Sequence, residues 1–170
     1  MNEMNIDERP TMITDSAIDR PPALSRAWAP DLEPDRLYAL LKLRVEVFVV
    51  EQANFYPELD GFDLLTRTRH FWLERAGDVI GTVRLLEEKV NGKNEFRLGH
   101  LCTRRSERGL GHTTRLLQAA LADVGAAPCR IDSPSYLVDM YTRHGFVQDG
   151  EERVDNGVPL IPLSKNSLTR

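Results

Sequence analysis

A basic, glycine-containing segment in the middle of the chain has the residue types of an anion-binding site. It runs from Leu98 to Thr113 and reads LGHLCTRRSERGLGHT. A predicted strand leads into the segment and a predicted helix leaves it, so the N–H groups at the helix start lack internal partners and lie at the positive end of the helix dipole. Glycines let that backbone approach a ligand closely, and Arg104, Arg105 and Arg108 add positive charge. This pattern favours a phosphate or pyrophosphate cradle, while a strand–turn–helix with solvated arginines fits the composition equally well.

Two common phosphate-binding motifs do not match this segment. A Walker loop needs a Gly-Lys-Ser/Thr triplet, which the segment does not contain. A Rossmann fingerprint needs a third glycine, but Thr114 stands at that position after Gly109 and Gly111. A different class of phosphate-containing ligand is therefore expected.

Hydrophobic periodicity predicts the elements that must position the segment. Apolar residues at helical spacing predict helices over about 35–50 and 109–124, and Ser133-Pro134 predicts the start of a short third helix. Strands are predicted over about 71–75, 79–86, 95–103, 129–132, 146–147 and 158–163. Prolines in the last strand predict an edge or bulged position. The order predicts an α/β (α+β) fold with an antiparallel meander followed by one βαβ unit.

Charge divides the chain into an arm and a domain. The 170 residues carry a net charge of −4. Residues 1–35 hold eight acidic and three basic side chains, so the remainder is close to neutral. We therefore predict a flexible, acidic, proline-containing arm over 1–33 and a single domain over 34–170.

Composition also limits the partners and the compartment. A net acidic chain is a poor match for general nucleic-acid binding, and the chain has no apolar run long enough to cross a membrane. The acidic first residues do not resemble a secretory signal. Two cysteines alone make neither a disulfide framework nor a four-ligand zinc site, and the four histidines lack metal-site spacing. We expect a cytoplasmic protein without a metal, nucleic-acid or membrane partner, whose edge strands permit a homodimer.

Three motifs in order along the chain resemble the GNAT family of acetyl-CoA-dependent N-acetyltransferases. RGLGHT at 108–113 matches the family's Gln/Arg-x-x-Gly-x-Gly/Ala except for the bulkier threonine at its end, and MYTRHGF at 140–146 is similar to Phe-Tyr-x-x-x-Gly-Phe. Residues 37–52, with Asp60-Gly61, Arg69-His70 and DNGVP at 155–159, resemble the ElaA-like subgroup. The subgroup commonly has a histidine and an arginine where this chain has Leu160 and His100. The resemblance covers about 36–165.

The resemblance implies a mixed, mostly antiparallel sheet with flanking helices and a splayed central parallel strand pair, here 98–103 and 129–133. It implies that acetyl-CoA lies in that wedge. The pantetheine arm would contact the backbone of Leu101, Cys102 and Thr103, with the N–H of Cys102 as an oxyanion donor. The pyrophosphate would meet the N–H groups of Arg108, Gly109, Leu110, Gly111, His112 and Thr113.

The resemblance further implies direct attack of a primary amine, from a small molecule or a peptide, on the thioester. Tyr141 would protonate the leaving thiolate, because a phenol holds its proton at neutral pH. As a side chain on a short helix, Tyr141 could equally be a core aromatic. The base is left open between Glu51, His70 and His100.

Other chemistry near these residues also stays open. The acidic side chains Glu58, Asp60 and Asp63 either attract a cationic amine or are solvated loop charges. A covalent acyl-enzyme on Cys102 is disfavoured, because no histidine–acid partnership is visible beside it. Two further hypotheses are a non-catalytic acyl-CoA-binding regulatory module and an interaction protein that recruits a partner through its arm.

Overall fold

The computed structural model describes residues 20–166 and arranges them around one mixed sheet. Its strands are β1 (Ala23–Trp28), β2 (Thr68–Arg75), β3 (Asp78–Val90), β4 (Lys93–Thr103), β5 (Cys129–Pro134), β6 (Val147–Gln148), β7 (Arg153–Asp155) and β8 (Val158–Lys165). Its α-helices are α1 (Pro34–Arg44), α2 (His112–Val124) and α3 (Val138–Thr142). A π-helical segment, Val45–Glu51, continues α1, and short 3-10 turns lie at Ala29–Asp31, Phe62–Leu64, Arg105–Glu107 and Ser135–Leu137.

The sheet splits between its two parallel strands. The strand order is β1-β2-β3-β4-β5-β8-β6, with β7 also beside β8. Only β4 and β5 run parallel, and their register pairs Phe96 with Cys129 and Arg97 with Arg130 before the two strands part. Beyond Arg97, β4 continues to Thr103 along β3. The mixed fold with a splayed parallel pair, predicted from the sequence, is therefore confirmed.

Apolar layers cover both faces of the meander. Because side chains alternate along a strand, Phe71 and Leu73 of β2 enter the core beneath α2, while Trp72 packs with α1 on the other face. The α1 layer contains Leu40 and Leu43, which are spaced to share one helix face. Both faces of β2 are thus buried, which explains its continuous apolar run. Within residues 20–166, no helix is long and apolar enough to span a membrane.

Strand β1 departs from the expectation that residues 1–33 form a flexible arm. It pairs with β2 along its whole length and forms the edge of the sheet. The guanidinium of Arg69 lies 4.0 Å from the centre of the Trp28 ring, a cation–π contact that holds the end of the strand. The prediction of a flexible arm is therefore wrong for the strand, and residues 1–19 lie outside the described part of the chain.

One local prediction after α2 is wrong. Ser133 does not begin a helix, because β5 runs through Pro134 and α3 starts only at Val138. For the prolines of β8, predicted at an edge or a bulge, the edge alternative is wrong, since β5 lies on one side and β6 and β7 on the other, whereas the register shift between β6 and β7 opposite Pro162 fits the bulged alternative. The sheet tolerates Pro162 because this residue lies opposite the break between β6 and β7, where its carbonyl accepts the N–H of Asp149 at 2.9 Å.

Candidate functional site

The segment between β4 and α2 has the backbone of an anion cradle. Gly109 and Gly111 have φ of +79° and +80°, and Gly111 is the N-cap of α2. A Cβ at either glycine would meet open space, so these positions need glycine for its left-handed conformation rather than for clearance. No side chain caps the helix. Its first N–H groups are therefore offered to an external acceptor.

Arg108 is held beside this cradle by a carboxylate from the other side of the sheet. Its Nη atoms lie 2.5 and 2.9 Å from the two carboxylate oxygens of Glu51, at the end of the π-helical segment, and its Nε donates to the Thr103 carbonyl at 3.0 Å. The hydrogen bond and charge of Arg108 lower the pKa of Glu51. Glu51, a candidate base, is thus brought to the segment between β4 and α2.

The other arginines of the segment point in different directions. Arg104 donates to the Val79 carbonyl at 3.0 Å and lies 3.6 Å from Asp78, so it turns toward the start of β3 and away from the cradle. Arg105 contributes to the charge around Glu51. Only part of the basic character read from the sequence is therefore directed at the cradle.

An open cavity of about 380 Å³ lies against the start of α2. Three arginines, Arg20, Arg75 and Arg115, contribute to its walls together with Gly111 and His112. Such a wall suits the phosphates of a large anionic ligand. Among residues 20–166, no group of three or more His, Cys, Asp or Glu side chains is arranged to hold a metal ion.

The last residues of β4 form one wall of the wedge. Arg104 donates its N–H to Ile80 of β3 at 2.8 Å, so strand alternation directs the N–H of Cys102 to β3 as well and that of Thr103 into the wedge. On this alternation the N–H of Thr103, rather than that of Cys102, is the candidate oxyanion donor. The Thr103 hydroxyl lies 3.1 Å from that of Thr113, so the bulkier last residue of the motif ties α2 to β4.

Cys102 is unsuited to covalent catalysis. It is buried, and burial raises the pKa of its thiol to about 12. The thiol therefore stays protonated at neutral pH, in agreement with the sequence-based expectation.

A β-bulge presents His100 to the α1 side of the sheet. Thr82 opposes Cys102 and Arg84 opposes Gly99, so two residues of β4 face one of β3, and His100 has a φ of +53°. Backbone strain of this kind in a non-glycine residue is concentrated at functional sites. The bulge directs the imidazole toward two carboxylates: Nδ1 lies 2.7 Å from Glu58 Oε1, and Nε2 lies 3.5 Å from Asp60 Oδ2.

These carboxylates belong to a group of charges, here called the ionic cluster, which is buried except at Asp60. It consists of Arg44, Glu58, Asp60, Asp63 and Arg84. Arg44 contacts Glu58 at 2.7 Å and Asp63 at 2.5 Å. Arg84 contacts Asp63 at 3.0 Å and makes two 2.7 Å hydrogen bonds to Asp60.

The surroundings keep the carboxylates of the cluster ionised. Burial alone would raise the pKa of Glu58, but hydrogen bonds and charge from His100 and Arg44 outweigh it and lower that pKa. The same opposition lowers the pKa of Asp63, where Arg44 and Arg84 outweigh burial. Glu58 and Asp63 are buried, so the alternative that they are solvated loop charges is wrong.

His70, a candidate base in the sequence analysis, and Tyr56, which that analysis did not identify, both lie at the ionic cluster. His70 is buried with Nε2 3.0 Å from the Asp63 carbonyl, and burial lowers the pKa of its ring. It is a neutral structural histidine rather than a base that meets substrate. Tyr56, which no motif singles out, donates its hydroxyl to Glu58 at 2.7 Å. Only the fold brings it to the cluster.

Tyr141 lies on α3, on the β5 side of the wedge. Its ring is buried, meets Phe146 edge-on at 5.8 Å between centroids and forms part of the core beneath α2. Burial raises the pKa of its phenol, so the hydroxyl keeps its proton. Tyr136, in the turn after β5, is exposed.

Sequence comparison agrees with this geometry. The family model of the acetyltransferase (GNAT) domain matches residues 35–167. The chain is 61% identical over 142 residues to the UPF0039 protein Rv2851c of Mycobacterium tuberculosis, covering 83% of this chain and 91% of that protein. It is 27% identical over 142 residues to protein ElaA of Escherichia coli, covering 81% of this chain and 92% of ElaA.

Solved structures share the fold. An acyl-CoA N-acyltransferase from Pseudomonas aeruginosa superposes with a TM-score of 0.79 at 32% identity, covering 85% of this chain and 99% of that one. Escherichia coli ElaA superposes with a TM-score of 0.77 at 26% identity, with the same two coverages. The splayed strands, the uncapped start of α2 and the family match over 35–167 agree, and the chain belongs to the GNAT acetyltransferase family.

Proposed function

We propose that this protein transfers an acetyl group from acetyl-CoA to the nitrogen of a primary amine. Membership of the GNAT family makes it an acyl-CoA-dependent acyltransferase, and the acetyl donor and amine acceptor are the further step. The observation that carries the proposal is the wedge, where β4 beyond Arg97 leaves β5 and runs to the uncapped, glycine-containing start of α2. This combination suits a long ligand with an amide-rich arm and a pyrophosphate.

The residues of the cradle fit coenzyme A. Backbone groups of Leu101 to Thr103 would bind the pantetheine arm, and N–H groups of Arg108 to Thr113 would bind the pyrophosphate. The guanidinium of Arg108 is fixed at the same place, between Glu51 and the Thr103 carbonyl. The thioester supplies the activated acyl group.

Proton transfers are assigned to side chains on the two sides of the wedge. Tyr141 keeps its proton until the thiolate leaves, because burial disfavours the phenolate. His100 is the favoured base, since Glu51 is committed to Arg108 and His70 is buried. The Thr103 N–H, which faces the wedge, is the favoured oxyanion donor.

Thiol release with a panel of primary amines tests the function, with acetyl-CoA-induced thermal stabilisation as the binding measurement. We expect stabilisation by millimolar acetyl-CoA and amine-dependent release of free thiol. Stabilisation without turnover for any amine would support a non-catalytic acyl-CoA-binding module. Absence of stabilisation by acetyl-CoA or CoA would contradict both interpretations.

A further inference from the structure

The ionic cluster does not balance its own charges. Its two guanidinium groups face three carboxylates, all ionised at neutral pH because their pKa values are lowered. The neighbouring side chains Tyr56 and His70 are neutral there, since the burial of each disfavours its charged form. The five residues of the cluster therefore carry one more negative than positive charge, and the group that can balance it with a proton is His100, which contacts Glu58 at 2.7 Å and Asp60 at 3.5 Å.

That charge reaches solvent at one edge of the cluster. The side chains of Arg44, Arg84, Glu58 and Asp63 are at most 6% exposed, whereas those of Asp60 and His100 are 31% and 18% exposed. Asp60 Oδ2 and His100 Nε2 lie 3.5 Å apart at this edge. A primary ammonium group has three N–H donors, so it can donate to both atoms.

The arginines of the cluster are already committed. Arg84 directs both Nη atoms at Asp60 and Asp63, and Arg44 is saturated by Glu58 and Asp63. Neither is exposed enough to receive a carboxylate from a substrate. A carboxylate beside the reacting nitrogen would instead approach Asp60, which is a repulsive contact.

We propose that this net charge selects the acceptor: the protein acylates primary amines that arrive as ammonium ions and discriminates against amines with a carboxylate on the same carbon. Glu58 is the positioning residue that directs His100 to receive the ammonium proton. The inference rests on the proposed function and specifies its substrate class.

The proton balance fits this arrangement. One proton moves from the ammonium nitrogen to His100 Nε2, which leaves a neutral amine and an imidazolium. The negative charge formerly balanced by the ammonium ion is then balanced by the imidazolium, whose Nδ1–H donates to Glu58 at 2.7 Å. The amine nitrogen bonds to the acyl carbon as the carbon–sulfur bond breaks, and the sulfur takes the proton of Tyr141. The second proton of the amine nitrogen passes to solvent water, from which the Tyr141 phenolate regains a proton, and His100 returns its proton to solvent.

Pairs of acceptor amines that differ only in a carboxylate beside the amino group test the proposed selectivity. Tyramine and tyrosine differ only in the carboxylate, as do histamine and histidine. We expect kcat/KM for each amine to exceed that of its amino acid by at least about tenfold. Equal rates within each pair would overturn the inference and leave the proposed function intact. Failure of the wild type to acylate any amine would instead overturn the proposed function and, with it, this inference.

Glu58→Gln tests the positioning role. We expect kcat to fall at least about tenfold and the acidic limb of the kcat/KM pH profile to move to lower pH, because the imidazolium loses an anionic neighbour. The matched control is Glu88→Gln, which removes a partially exposed partner of Arg97 at 3.4 Å and should leave the profile unchanged. An unshifted limb in folded, acetyl-CoA-binding Glu58→Gln would contradict the role of Glu58.

Asp60→Asn keeps the inference testable if Glu58→Gln does not fold, because the Asp60 side chain is partly exposed. The variant neutralises the uncompensated charge at the edge. We expect the preference for tyramine over tyrosine to fall at least about fivefold, with acetyl-CoA binding retained. A preference that survives intact would overturn the electrostatic basis of selection.

Discussion

Tyr141 is a core residue whose phenol stays protonated at neutral pH. Its ring packs edge-on against Phe146, and burial raises the pKa of the phenol. We expect Tyr141→Phe to retain packing and acetyl-CoA binding but to lower kcat about 10²-fold, the usual contribution of a general acid. Steady-state thiol release measures this, with Tyr38→Phe, an exposed tyrosine on α1, as the control. Unchanged kcat at saturating amine would leave Tyr141 as a core aromatic only.

Glu51 pairs with Arg108, a residue of the proposed pyrophosphate cradle, so its substitution should affect acetyl-CoA binding rather than proton transfer. Its pKa is lowered by Arg108, so the pair is intact at neutral pH and is lost only as pH falls through that lowered value, below the ordinary 4.5. We expect Glu51→Gln to raise the KM for acetyl-CoA severalfold and to leave the shape of the kcat pH profile unchanged.

Arg108→Gln is the matched variant and should raise the same KM, because each partner holds the other. Loss of the acidic limb of the kcat profile in Glu51→Gln would instead identify Glu51 as the base.

Residue roles were predictable from the sequence where contacts are local. The cradle lies within six consecutive residues, so its glycines and Arg108 reveal it directly. The ionic cluster joins residues far apart in sequence: Arg44 meets Glu58 14 positions away and Arg84 meets Asp60 24 positions away. The sequence of a loop does not show whether its acidic side chains pair with arginines from distant elements. The burial of these acids therefore could not be predicted.

At the scale of elements, the start of α2 depends on backbone conformation. Gly111→Ala places a Cβ in open space at φ +80°, so the expected effect is strain of about 1–2 kcal/mol in unfolding free energy rather than a clash. Distortion of the cradle should also weaken acetyl-CoA binding severalfold. Urea unfolding and calorimetric titration measure the two effects.

The hairpin after β3 offers a matched control for this substitution. Gly92 has a φ of +77° and equally open space around its Cβ position. Gly92→Ala should therefore cost similar stability while leaving acetyl-CoA binding unchanged. A parallel loss of binding in both variants would show that the effect at Gly111 comes from lower stability and not from the cradle.

Charged and aromatic contacts add to the backbone pairing that holds strand β1 to the sheet. Arg69 lies over Trp28, and Arg26 pairs with Asp123 of α2. We expect Trp28→Ala to lower the unfolding free energy by about 1–2 kcal/mol, through lost cation–π contact and buried ring area. Urea unfolding measures the loss, and Leu24→Ala, an exposed residue of the same strand, should cost less.

The elements that hydrophobic periodicity predicts are those with buried apolar stripes. Helices α1 and α2 and strands β2 to β4 follow from that pattern and are confirmed. Strand β1 carries mainly exposed and half-buried residues, and β7 is three exposed residues long. Neither has an apolar period to detect, because each is recruited by backbone pairing with a neighbour.

At the scale of the whole molecule, the ionic cluster links stability to pH. Its carboxylates have lowered pKa values in the folded protein, so their stabilisation is fully present above the unfolded values of 3.8 for Asp and 4.5 for Glu. It is lost as pH falls from about 4.5 through the lowered folded values. Protonation removes the acceptors of Arg44 and Arg84, which then lie buried without counter-charges.

Removing Arg44 should reverse the sign of this pH dependence, so that the cluster contributes more to the unfolding free energy as the pH falls from about 7 to 5. Arg44→Met leaves Glu58 and Asp63 buried with less positive charge, and breaking such a buried pair costs about 3–5 kcal/mol at pH 7. Burial, which alone would raise the pKa of Glu58, then has less opposition. The folded variant should bind a proton there more readily than the unfolded chain, so its stability deficit should narrow between about pH 7 and pH 5.

Urea unfolding of wild type and Arg44→Met across this pH range tests the expectation. Lys42→Met is the control, because the exposed Lys42–Glu46 pair at 3.8 Å is expected to contribute less than about 0.5 kcal/mol. A constant deficit would mean that Arg44 stabilises the fold mainly through packing, since lost packing has no reason to depend on pH. A narrowing deficit would instead show that Arg44 keeps the buried carboxylates charged, the condition on which the ammonium-selective edge at Asp60 and His100 depends.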